Sequence, residues 1–155
     1  MSGFENLMIG ERLEIGRHSF TEEAIIAFAT KYDPQPFHVD TEAARRSIYG
    51  ALCASGWHTA AVWMRLNVDY QAAQAARLRE EGKSPPVFGP SPGISNVKWF
   101  KPVYGGDTIT YFNTVTAARM RPSKPDWGIV ELHSEGVNQK GDPVIAFDNA
   151  VLIKT

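Results

Sequence analysis

An aspartate and a histidine stand five positions apart in the run Asp33-Pro34-Gln35-Pro36-Phe37-His38. A carboxylate and an imidazole held together can take a proton from water and return one near neutral pH, which is general acid–base work. Each proline fixes its own φ and biases its predecessor toward extended backbone. The segment is therefore expected to present both side chains from a braced loop, not from a regular helix. Taken alone, Asp33 reads more readily as a helix terminator and His38 as a half-buried loop residue. The surrounding elements have to bring them together.

Those elements are readable from periodicity. Arg12 to Phe20 alternates loosely through Leu13 and Ile15 and predicts a first strand. Thr21 is placed as an N-cap, with Glu22 and Glu23 in the first turn. Phe20 and Ile25 fit a hydrophobic staple across that cap. Ile25, Phe28, Ala29 and Tyr32 share one helical face, and the helix must stop near Tyr32 because Pro34 follows Asp33. Asp40 or Thr41 caps a short helix to about Arg46. From Ser55 a long helix begins. Trp57, Ala60, Ala61, Met64 and Val68 line one side and Val62, Trp63 and Leu66 another, so burial around much of its circumference is expected. Gln71 to Glu81 extends it into solvent.

Four prolines between Gly82 and Gly93 demand a loop. Strands follow at Ile94–Val103, Thr108–Ala118, Gly128–Val137 and Val144–Ile153. Gly105-Gly106-Asp107 and Lys140-Gly141-Asp142 are turns, and Arg121 to Asp126 is a polar connection. Helices followed by a run of strands predict an α+β fold with an antiparallel sheet. One helix covers only one face of such a sheet, so a partner subunit is expected to protect the rest.

Composition narrows the function classes. The 155 residues fit one domain, 1–155, with one substantial core. A formal net charge of -1 and the lack of a Lys/Arg-rich run argue against nucleic-acid binding. No apolar run approaches membrane-spanning length, and Met1 to Gly10 does not read as a signal peptide. The single cysteine, Cys53, excludes an internal disulfide framework, and a cytoplasmic protein is expected. Cys53 has no activating neighbour in sequence and is expected to pack rather than react. No histidine pair with metal-ligand spacing shares a face with a carboxylate, so neither a metal nor a cofactor is expected. Asp40 reads as a cap. His58, His18 and His133 read as structural or surface residues, and Trp57, Trp63 and Trp99 as core or interface.

Three motifs in order resemble the MaoC-like dehydratase branch of the hot-dog fold, which includes (R)-specific enoyl-CoA hydratases. They are Asp33 to Asp40, then Ser55-Gly56, then Phe100-Lys101-Pro102-Val103-Tyr104-Gly105-Gly106-Asp107. The likeness runs from about Leu13 to Ile153. Gln35 stands where the family has Asn, Pro34 is an additional proline, and Ser55 replaces a His. The resemblance implies a hot-dog domain, a long central helix wrapped by an antiparallel β-sheet, assembled at least as a homodimer. It also implies hydration of a 2-enoyl-CoA to a 3-hydroxyacyl-CoA, or the reverse. In that reading Asp33 and His38 hold the water and handle protons. The N–H of Gly56, at a helix N-terminus, meets the charge developing on the thioester oxygen. Gln35, Ser55 and Trp57 are the implied substrate-binding neighbours. Lys98, Lys101, Arg119, Arg121 and Lys124 are candidate partners for carrier phosphates. Two other hot-dog readings stay open: an acyl-CoA thioesterase and a non-catalytic acyl-CoA-binding protein.

Overall fold

In the computed structural model, which describes residues 7–155, the chain opens with strand β1 (Arg12–Ser19) and three helices. These are α1 (Glu22–Tyr32), α2 (Pro36–Val39) and α3 (Thr41–Arg45). The long helix α4 (Gly56–Glu80) follows, then β2 (Gly93–Trp99), β3 (Thr108–Met120), β4 (Trp127–Val137) and β5 (Pro143–Lys154). The five strands form one antiparallel sheet in the order β1-β3-β4-β5-β2. The N-terminal signal-peptide expectation rests partly on residues 1–6, which lie outside the described residues. No described helix is long and apolar enough to cross a membrane.

Helix α4 packs across one face of the sheet, the α+β hot-dog arrangement expected. Val62 and Trp63 enter a core with Ile15, Ile109, Tyr111, Ile145 and Phe147. Three polar contacts fix the depth and register of the helix. Trp63 Nε1 donates to Asn113 Oδ1 at 2.9 Å, Asn113 Nδ2 donates to Asn67 Oδ1 at 2.9 Å, and Tyr111 Oη donates to the Thr59 carbonyl at 2.8 Å. Buried polar groups need such partners, since an unpaired one costs about 1–3 kcal/mol. Gly16 sits at a bulge of β1 with φ +150°, and a Cβ there would come within 3.0 Å of Leu66. The strand is thus able to lie close against α4.

The N-terminal elements follow their caps. Thr21 accepts the Ala24 N–H at 3.1 Å, and Phe20 and Ile25 are both fully buried across that cap. Asp40 accepts the N–H groups of Glu42 and Ala43 and starts α3.

Four expectations need correction. His38 lies on the single turn α2, not in a loop, because Pro36 occupies the first helical position, where its missing N–H costs nothing. Strand β2 stops at Trp99, short of Val103, where the chain turns off the sheet edge before Pro102. Tyr32 is exposed rather than core-facing. The burial expected around α4 holds only on the Val62/Trp63 face, since Trp57, Ala61, Met64 and Val68 form an exposed stripe.

Candidate active site

The turn carrying His38 is tied to the strap that precedes α4. Cys53 N–H bonds the Phe37 carbonyl at 3.3 Å and Ala54 N–H bonds the Val103 carbonyl at 2.8 Å. That strap supplies the partner that orients the imidazole: His38 Nδ1 lies 2.6 Å from the Cys53 carbonyl oxygen. A carbonyl only accepts, so Nδ1 carries the hydrogen and Nε2 of the neutral ring is a bare acceptor. Nε2 faces Asp33 Oδ2 across 3.4 Å, with the ring 7% exposed.

Asp33 is set at the end of α1, its N–H closing on the Ala29 carbonyl at 2.8 Å. Gln35 Nε2 donates to Asp33 Oδ1 at 2.7 Å and leaves Oδ2 turned toward His38. Burial works to raise the Asp33 carboxyl. Hydrogen bonding from the Ser55 and Gln35 side chains, with the nearby His38, outweighs it and holds the group below its ordinary value. Asp33 is therefore a carboxylate at neutral pH. Two acceptors, Oδ2 and Nε2, converge on one point, which is the arrangement that receives the two hydrogens of a water molecule.

Helix α4 begins beside this pair. Ser55 is fully buried and accepts the Trp57 N–H at 3.3 Å as the N-cap. Gly56 opens the helix, where N–H groups lack intrahelical partners and the dipole favours negative charge. Asp33, Gln35, His38, Gly56 and Trp57 all line one cleft of about 410 Å³, closed further by Phe37, Tyr49, Val103 and Val144. Five of the six sequence-predicted site residues thus share one space. Ser55 does not: it lies behind the wall, between the helix cap and Asp33, where it can position but not touch a ligand.

Two participants had no reading from sequence as parts of the site, and a third, Ser55, was expected at the substrate and instead holds Asp33. The Cys53 carbonyl sets the His38 tautomer, and a backbone role of this kind leaves no mark on residue type. Burial pushes the Cys53 thiol itself up to about 11, with Asp33 adding to the rise. The Ser55 hydroxyl acts on Asp33 across a sequence gap of two elements. Trp99 lines the cleft with its Nε1 on the Gly56 carbonyl at 3.0 Å. The one available signal was its place immediately before the Phe100-Lys101-Pro102-Val103 motif. Of the candidate carrier-binding cations only Lys101 reaches the cleft, where it pairs with Asp142 at 2.9 Å. Lys98 lies on the outer face of the sheet and Arg119 pairs with Glu131.

The sequence model of the MaoC-like domain matches residues 6–126. The chain belongs to the MaoC-like dehydratase family. A solved MaoC-like dehydratase from Rhodospirillum rubrum shares 37% identity with it, superposes with a TM-score of 0.80, and covers 97% of this chain and 94% of its own. That coverage carries the MaoC-like fold through β4 and β5, beyond the matched domain. The uncharacterized protein YdeM of Bacillus subtilis (strain 168) is 27% identical over 150 residues, 97% of each chain. The (R)-hydratase from A. caviae involved in PHA biosynthesis shares 22% identity at a TM-score of 0.67, covering 95% of this chain and 97% of that one, a likeness of fold.

Proposed function

We propose that this MaoC-like protein adds water across the double bond of a 2-enoyl-CoA, or removes it from the 3-hydroxyacyl-CoA. The observation that carries this is the 3.4 Å approach of Asp33 Oδ2 and His38 Nε2 inside the cleft that also exposes the start of α4. Water bound between two acceptors points its oxygen lone pairs away from them, toward the substrate. Attack on the β-carbon forms the C–O bond, and the pair takes up the released proton. The double-bond electrons move toward the thioester oxygen, where the Gly56 N–H and the helix terminus stabilise the charge. A proton returned from the same pair to the α-carbon completes the addition on one face. One water is consumed, one C–O and one C–H bond form, and no redox partner is needed. Gln35 and Ser55 act by holding Asp33, and Trp57 by shaping the wall.

A second copy of the chain is part of this proposal. The exposed stripe Trp57, Ala61, Met64 and Val68 on α4 and the apolar Ile94 and Trp99 on the free edge strand β2 form a surface that a monomer leaves in water. A homodimer covering it would enclose the cleft mouth, with Lys101 at the rim for the carrier.

One assay tests the chemistry. Crotonyl-CoA and longer enoyl-CoAs are mixed with the protein while enoyl absorbance and free thiol are followed together. Loss of enoyl absorbance without thiol release is the expected result. Thiol release would instead make the protein a thioesterase. Binding without either change would leave an acyl-CoA-binding protein.

A further inference from the structure

The indole of Trp99 lies over Gly56 so closely that a Cβ on that glycine would stand 2.5 Å from its Cε2 and Nε1. The ring is fixed rather than draped. Its Nε1 donates to the Gly56 carbonyl, Trp57 meets it edge to face with centroids 5.3 Å apart, and its backbone pairs with Ile145 on β5. Trp99 therefore forms a fixed wall of the cleft beside the start of α4, with its outer part, 45% of the residue, left in solvent. The cleft volume of about 410 Å³ stands near the low end of small-ligand sites, which run from about 300 to 1,000 Å³. That space has to hold the attacking water, the thioester and the acyl chain together. Phe37, Tyr49 and Val144 close other sides, and an aromatic or β-branched wall does not yield cheaply to an extra methylene.

We propose that Trp99 is the residue that sets substrate range, confining the site to short acyl thioesters. This rests on the hydration reading and extends it to substrate class. The indole works by bulk: it occupies the volume a longer acyl group would need. Its hydrogen bond to Gly56 keeps the ring in place.

The test uses crotonyl-, hexenoyl-, octenoyl- and decenoyl-CoA with the full chain and its Trp99→Phe, Trp99→Leu and Trp99→Ala variants. The wild type is expected to favour the short substrates. In Trp99→Ala the ratio of kcat/KM for decenoyl- over crotonyl-CoA rises by about tenfold or more, the usual scale for methylene discrimination in an apolar pocket. Trp99→Leu falls between, and it carries the test if Trp99→Ala does not fold. Trp99→Phe keeps the short preference because it keeps a ring while losing Nε1. Affinities for butyryl- and decanoyl-CoA are measured in parallel. If no enoyl-CoA is hydrated yet the affinity ratio shifts in Trp99→Ala, the wall stands and the hydration reading falls. An unchanged length order in Trp99→Ala, in turnover and in binding, overturns the role of Trp99.

Discussion

Two aspartate–histidine pairs occupy opposite faces of this sheet, and they spend their ring nitrogens differently. In the cleft, His38 gives Nδ1 to the Cys53 carbonyl and turns Nε2 toward Asp33 across 3.4 Å. On the outer face, His133 gives Nδ1 directly to Asp148 at 2.8 Å, and Asn96 donates to the other carboxylate oxygen at 2.8 Å. The second pair is closed, each carboxylate oxygen carrying a donor, and it is half-exposed. The first is open and buried beside a helix terminus. Residue type is identical in both, so chemistry is decided by which partner fixes the tautomer and what is left unpaired. A backbone carbonyl behind the ring leaves the front of the ring for a water molecule; a carboxylate behind it leaves only a hydrogen-bonded pair at the surface.

The comparison breaks first at the cleft. Asp33→Asn removes the carboxylate but keeps its shape, and His38→Gln removes the imidazole but keeps a polar side chain. Each is expected to lower kcat for enoyl hydration by at least about 100-fold, the scale of lost acid–base participation, with an unchanged circular dichroism spectrum. Near-normal turnover in both would mean that the open pair is as inert as the closed one.

Gly56→Ala sharpens the same contrast from the helix side. The new methyl would meet the Trp99 ring at 2.5 Å, so the ring has to move and its bond to the Gly56 carbonyl breaks. Turnover should fall by roughly tenfold, an order-of-magnitude estimate for disturbing one oxyanion donor without deleting it. Combining the change with Trp99→Ala should recover part of the loss. Strictly additive effects would show that the indole and the helix start are not coupled.

The positions of Asp33, His38 and Gly56 were legible because their spacing is local, a motif of six residues and a helix start, while the roles proposed for them came from the resemblance to the MaoC-like family. The strands and the α1 cap were legible for the same reason. The helical turn at His38 was not, since two prolines read as breakers until one is placed at a first helical position. The exposed stripe on α4 was misread because Trp57, Met64 and Val68 have the same 3.6-residue period as Val62 and Leu66. Periodicity finds apolar faces without saying which one the sheet takes. Trp99 and the Cys53 carbonyl reach the site only through tertiary contact, from a sheet edge and a strap far from the motif in sequence. Ser55 was named from its place before Gly56, but its hold on Asp33 depends on the same tertiary contact.

A third histidine extends the contrast to a ring whose Nδ1 has no hydrogen-bonding partner. His58 is buried, stacks on Phe28 with ring planes 6° apart, and leaves Nδ1 unpartnered. Burial, with a smaller push from His18, lowers it from 6.5 to about 4. Between those values the unfolded chain binds a proton that the folded chain refuses. Stability is therefore whole above about pH 6.5 and declines as pH falls toward 4. His58→Phe keeps an aromatic stack and removes the titration, so its urea midpoint should decline less than the wild type's between neutral and mildly acid pH. The difference is expected on the order of 2 kcal/mol at the acid end. Parallel curves for the two proteins would refute the buried-neutral assignment.

The smallest effect belongs to the closed pair itself. Asp148→Asn or His133→Gln removes a half-exposed hydrogen bond between the two side chains, and exposed polar pairs of this kind contribute about 0–1 kcal/mol. Hydrogen bonds from Asn96 and His133 hold the Asp148 carboxyl below its ordinary value of 3.8. Its small contribution is accordingly present above that value and lost as pH falls through the folded one. At neutral pH both variants should hydrate enoyl-CoA within about twofold of wild type, since neither residue lines the cleft, and their urea midpoints should move little. A tenfold loss of turnover in either would mean that the outer face communicates with the cleft through β4 and β5. The difference between the two pairs would then be one of distance from the substrate, not of open against closed geometry.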